Sequence, residues 1–113
     1  MTTKHHEIEI SVVGKTVRQP APMPQLTIGD TVHYFSKHDG KVVVRFPERS
    51  PYRTDNQVNT QVSGAETVTV TQEGLFKSGC QLELSDGTVM GWNPRDPLGT
   101  RDSGGDHEVR KPP

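Results

Sequence analysis

Apolar and polar residues alternate with a period of two along most of this chain. Ile8, Ile10 and Val12 are interleaved with Glu7, Glu9 and Ser11, which makes residues 7–12 a half-buried strand. Gly14-Lys15 closes it as a turn, and three prolines between residues 19 and 24 mark an edge or an extended connection, because proline donates no ladder hydrogen bond. Gly29-Asp30 turns into a second strand, Thr31 to Phe35. His38-Asp39-Gly40 turns into a third, Lys41 to Phe46, with Val42, Val44 and Phe46 on one face. Residues 47–56 carry two prolines and mostly polar side chains, and they read as a long loop crossing between sheets. A weak strand over 58–62, a β-branched alternation over 66–71 and a turn at 72–74 follow. Phe76, Ser78, Cys80, Leu82 and Leu84 then share one face at period two. Asp86-Gly87 is a hairpin turn, 89–92 is a short strand, 93–105 is loop chemistry, and 107–111 is a last short strand.

No segment carries a 3.6-residue period, and eleven glycines with nine prolines favour turns over helices. About seven or eight short strands with regularly spaced turn signals predict an all-β Greek-key sandwich. The domain spans 7–111, with residues 1–6 a disordered N-terminus and 112–113 a tail. Only 29% of residues are hydrophobic, so part of the chain must lie outside the packed unit. A net charge of −1 supplies no field for nucleic acid or an anionic membrane. The single cysteine excludes an internal disulfide and fits a reducing, cytoplasmic compartment, although a mature secreted form would read the same. No apolar run reaches ten residues, which argues against a spanning helix or a signal peptide.

Three segments in order resemble the cupredoxin family, in its small bacterial-type members. Gly29-Asp30-Thr31-Val32 is similar to the entry of an early strand. Val42-Val43-Val44-Arg45-Phe46 followed by Ser50-Pro51-Tyr52 resembles the strand and loop after it. Gly74-Leu75-Phe76-Lys77-Ser78-Gly79-Cys80 resembles the strand that delivers the copper cysteine. The resemblance implies a cupredoxin-like sandwich over 7–111. A blue-copper site takes a thiolate, two imidazoles and usually a weak axial Met. Residues 81–92 contain no histidine, His38 stands in a turn, and Met90 precedes His107. Only Cys80 carries over, so the expectation is a copper-free scaffold without cofactor.

Each chemical candidate has a plainer counterpart. Cys80 in phase with Leu82 and Leu84 reads as a small core residue. A metal or electron-transfer reading would use Cys80 with His38 or His107. Separately, His33, His38, Cys80 and His107 would form an uncommon copper or zinc site if loops fold back at one end of the sandwich, but no short ligand spacing supports that. The adjacent His5-His6 read as a solvated end. Cys80 with His107 and Asp106 as nucleophile, base and orienter lacks a helix to lower the thiol pKa. Ser103-Gly104-Gly105 lacks the frame of a phosphate loop. Arg45, Arg49, Tyr52 and Arg53 form a basic and aromatic cluster, and Arg and Tyr are favoured at recognition hot spots. Trp92, the only tryptophan, closes the core or stands at the mouth of a loop. The leading expectation is a non-enzymatic binding or interaction module working through loops 47–56 and 93–105, with Arg49, Tyr52, Arg53 and Trp92 as contact residues. Its partner would be a protein or small ligand. The chain itself would be a monomer or a weak homodimer joined through an edge strand.

Overall fold

A computed structural model describes residues 3–92 and 104–112. Among these residues there is no helix, and eleven strands account for the regular structure. The period-two segments are the reason: alternating β-branched residues fit a pleated surface with one buried face. No helix among the described residues is long and apolar enough to cross a membrane.

The first sheet has three strands in the order β1 (His5–Glu9), β5 (Thr31–Phe35), β8 (Thr67–Thr69). β1 runs parallel to β5 with Ile8 opposite Tyr34, and β8 is antiparallel on the other side. β2 (Ser11–Val13) and β3 (Thr16–Arg18) form a separate hairpin across Gly14-Lys15, and Gly14 takes the positive φ of 64° that this tight turn needs. The larger sheet runs β4 (Leu26–Thr27), β11 (Gly104–Arg110), β9 (Gly74–Glu83), β6 (Lys41–Phe46), β7 (Thr60–Ser63). β10 (Val89–Gly91) adds to the far end of β9, beyond β11, with Met90 opposite Leu82.

Both sheets face one core. Ile8, Val32 and Tyr34 come from the three-stranded sheet. Val42, Val44, Phe46, Val62, Phe76, Cys80, Leu82 and Val109 come from the larger one, all buried. Phe76, Ser78, Cys80 and Leu82 occupy the inward face of β9 in the phase that the sequence predicts.

Several expectations need correction. Residues 47–56 do not cross between sheets. They belong to a long connection between β6 and β7, which pair antiparallel with Val44 opposite Val62. The change of sheet occurs instead at the turn between β7 and β8, where Gly64 N–H donates to Val42 O at 2.8 Å. The N-terminal end does not fray through residue 6. β1 begins at His5 because Asp30 receives both the Lys4 N–H at 2.9 Å and His6 Nε2 at 2.8 Å. β8 is shorter than the 66–71 alternation, and β11 begins at Gly104, inside the expected 93–105 loop. The rest of that loop, 93–103, lies outside the described residues.

A candidate ligand pocket

β6 has two faces. Val42, Val44 and Phe46 point into the core, which turns Val43 and Arg45 to the opposite side of the larger sheet. On β9 the same outer face carries Gly79 and Gln81, and Gly79 is the ladder partner of Arg45. This face is also covered: Gln81 is 5% exposed and Trp92 3%. The lid is the Trp92 indole, which lies flat on Gly79. A Cβ at Gly79 would come within 2.3 Å of indole Cδ2, so only glycine leaves room for the ring.

Polar groups then tie the main chain of Trp92 and the guanidinium together. Gln81 Nε2 donates to the Trp92 carbonyl at 2.6 Å, and Arg45 Nε donates to Gln81 Oε1 at 2.7 Å. Trp92 N–H donates to Cys80 O at 2.9 Å and continues the β10 ladder. Arg45 is thus held through its Nε, and its two terminal nitrogens form no ion pair with any described residue. The Trp92 indole N–H is buried and reaches no acceptor among the described residues.

Arg45, Trp92, Pro47 and Asn59 line a cavity of about 260 Å³. Pro47 and Asn59 are the two ends of the loop between β6 and β7, closed by Asn59 N–H to Pro47 O at 3.1 Å. Asn59 has a φ of 57°, in the left-handed region that asparagine tolerates better than most residues. The loop is pinned by its first half. Thr71 N–H donates to Pro51 O at 2.8 Å, Gln72 Nε2 donates to Ser50 O at 2.8 Å, and Tyr52 bonds the Tyr34 hydroxyl.

The residues singled out from sequence are dispersed. Tyr52 packs edge-on against Phe46, with ring centroids 5.7 Å apart, and serves as a loop anchor. Arg49 stacks over Phe76, its guanidinium carbon 5.0 Å from the ring centroid. Arg53 is exposed and pairs with Asp55 at 3.0 Å. Of the four proposed contact residues, Trp92 is the one that lines this cavity. Pro47 opens the 47–56 loop that the sequence marks as a working surface, whereas Gln81 and Asn59 are not singled out by any motif. Gln81 stood out in one respect: it is polar on the β9 face that Gly79 leaves bare.

Cys80 sits in the core opposite Val44, and burial pushes its thiol up to about 12. It is therefore protonated at neutral pH and a poor nucleophile. His107 is fully buried on β11, opposite Phe76, and burial lowers it to about 4. His38 is exposed in its turn, with Nδ1 2.8 Å from Asp39 O. His33 lies on the outer face of β5, between the Glu7 carboxylate at 3.1 Å and Gly64 O at 2.7 Å. These histidines do not converge on Cys80, and no group of three or more metal-ligating side chains suited to an ion occurs among the described residues. His5 and His6 are engaged as well: His5 bridges Thr31 and Glu7, and His6 bonds Asp30.

A second cleft, about 410 Å³, lies along residues 18–23 and 104–106. Its Gln19 amide is already committed to Ser78, Nε2 to Oγ at 3.0 Å. The Arg45–Trp92 cavity is the one whose donors lack acceptors among the described residues. Comparison with protein-family models, curated proteins and solved structures finds no match to this chain.

Proposed function

We propose that this chain is a non-enzymatic binding module on a cupredoxin-like Greek-key β-sandwich, with its ligand site where Trp92 and Arg45 meet the base of the 47–59 loop. The observation that carries this reading is the Arg45–Gln81–Trp92 relay. A buried glutamine ties a guanidinium to the main chain of Trp92, whose indole lies on Gly79 beside the same cavity, which is the support a preorganised site requires. A structural arginine would be expected to spend its terminal nitrogens on a carboxylate. Arg45 lines the cavity and pairs with no carboxylate among the described residues.

The reactive groups lie elsewhere and are subdued. The thiol of Cys80 is buried and protonated, and the imidazole of His107 is enclosed in the core. Two faces packed on one core, with β1 and β5 parallel and β6, β9 and β11 antiparallel, suit the cupredoxin-like scaffold. Binding through a loop base on a rigid β scaffold is a common use of such folds.

The test is a screen of small neutral, acidic and basic fragments followed by ¹H–¹⁵N NMR. The Trp92 indole N–H gives a single resonance, since the chain has one tryptophan. Shifts centred on that indole, Arg45 and Asn59 uphold the reading. Shifts confined to the Gln19 cleft, or none from any fragment, overturn it.

A further inference from the structure

The chemistry of the cavity wall narrows the ligand, taking as its premise that the cavity is a binding site. We infer that it takes a carboxylate carried on a small planar apolar group. Its described wall carries a cationic donor and no carboxylate. The terminal nitrogens of Arg45 form no ion pair with any described residue, and the plane of its guanidinium is set by the Nε bond to Gln81. The Trp92 indole N–H is buried without an acceptor among the described residues. No carboxylate belongs to the described lining, which is Arg45, Pro47, Asn59 and Trp92.

The half-buried guanidinium has no counter-ion among the described residues, so the ligand inferred here brings the acceptor oxygens. The guanidinium fork matches a carboxylate in two parallel hydrogen bonds, and the pairing strengthens away from bulk water. Asn59 adds an amide at the rim that both donates and accepts. Trp92 and Pro47 supply the apolar walls, against which a flat ring packs better than a hydrated tetrahedral anion does. Size sets the upper limit. A cavity of about 260 Å³ falls just under the range of drug-sized sites, so one ring or one side chain fills it. Free aromatic acids and the carboxyl terminus of a chain ending in an aromatic residue share this chemistry.

The experiment is a set of NMR titrations of the whole protein at pH 7 with benzoate, benzamide, inorganic phosphate, N-acetyl-phenylalanine and its amide. Benzoate should bind at least ~10-fold more tightly than benzamide, with shifts at the Trp92 indole and Arg45. Arg45→Gln, which keeps an N–H for Gln81, should bring the two within ~2-fold of each other. Arg45→Lys retains the charge without the fork and should lose part of the preference. It also keeps the inference open to refutation if the glutamine variant fails to fold.

Tighter binding of N-acetyl-phenylalanine than benzoate, lost in its amide, assigns the site to a chain terminus. The reverse order assigns it to a free acid, and both results uphold a carboxylate site. Benzamide binding at these residues as well as benzoate, or phosphate binding there in preference to both, overturns the carboxylate and leaves the pocket standing. No shift at Arg45, Asn59 or Trp92 from any probe overturns the pocket as well.

Discussion

The hydroxyl of Tyr34 meets Nε2 of His107 at 2.8 Å inside the core, joining residues 73 positions apart in the chain. The surrounding bonds give this contact a direction. Ser78 Oγ donates its proton to Gly105 O at 2.8 Å, so that oxygen faces His107 Nδ1 only as an acceptor, at 3.4 Å. The imidazole then carries its proton on Nδ1, and Nε2 accepts from Tyr34. Tyr52 donates in turn to the Tyr34 oxygen. One neutral histidine satisfies the whole chain. Burial pushes the Tyr34 hydroxyl up, with the neighbouring Tyr52 adding to it, so Tyr34 stays protonated as well.

Stability should therefore fall in mild acid. His107 has a folded value of about 4 against an ordinary 6.5, so below 6.5 the unfolded chain gains a proton that the folded one refuses. The contribution of His107 is complete above pH 6.5 and is lost progressively as the pH drops toward 4. A shift of this size corresponds to about 3 kcal/mol. Urea unfolding between pH 7 and 4 should show this loss in the native sequence relative to His107→Gln. Parallel profiles for the two proteins would refute the assignment.

Gly79 and Trp92 should be strongly coupled. Adding a methyl group at Gly79 places carbon 2.3 Å from indole Cδ2 and 2.6 Å from Cε3, so the ring has to leave its seat. We expect Gly79→Ala to cost about 1–3 kcal/mol, in the range of core overpacking, and to shift Trp92 emission to the red. In a Trp92→Ala background the same change should cost under about 0.5 kcal/mol, since the collision is gone. Equal costs in both backgrounds would mean that the indole does not rest there.

Asp30 should hold the N-terminal strand in place. Its carboxylate accepts Lys4 N–H at 2.9 Å, Thr27 N–H at 3.1 Å and His6 Nε2 at 2.8 Å, and it is 3% exposed. Burial pushes its pKa up, but these hydrogen bonds outweigh that and hold the carboxyl below its usual 3.8. Its contribution is present above 3.8 and disappears as the pH falls through the lower folded value. At pH 7, Asp30→Ala should cost about 1–3 kcal/mol and speed amide exchange in β1 at least ~10-fold. Unchanged exchange over residues 5–9 would show that the strand is held by β5 alone.

What the sequence by itself determined is the local alternation. The buried face of β9, the strand Lys41 to Phe46, and the turns at Gly14 and Gly87 are all legible there, because period-two burial and positive φ are properties of a few adjacent residues. Only the tertiary structure decided which strands became neighbours. The parallel pairing of β1 with β5 brings Lys4 and His6 to Asp30. The placement of β11 on β9 brings His107 to Ser78 and Tyr34, and β10 carries Trp92 onto Gly79. Arg45 read as one more loop-side cation until Gln81, thirty-six positions away, fixed it beside the indole. The role of a polar side chain depends on the partner it meets, and that partner is chosen by burial of apolar faces across long stretches of chain, which no short window of sequence records.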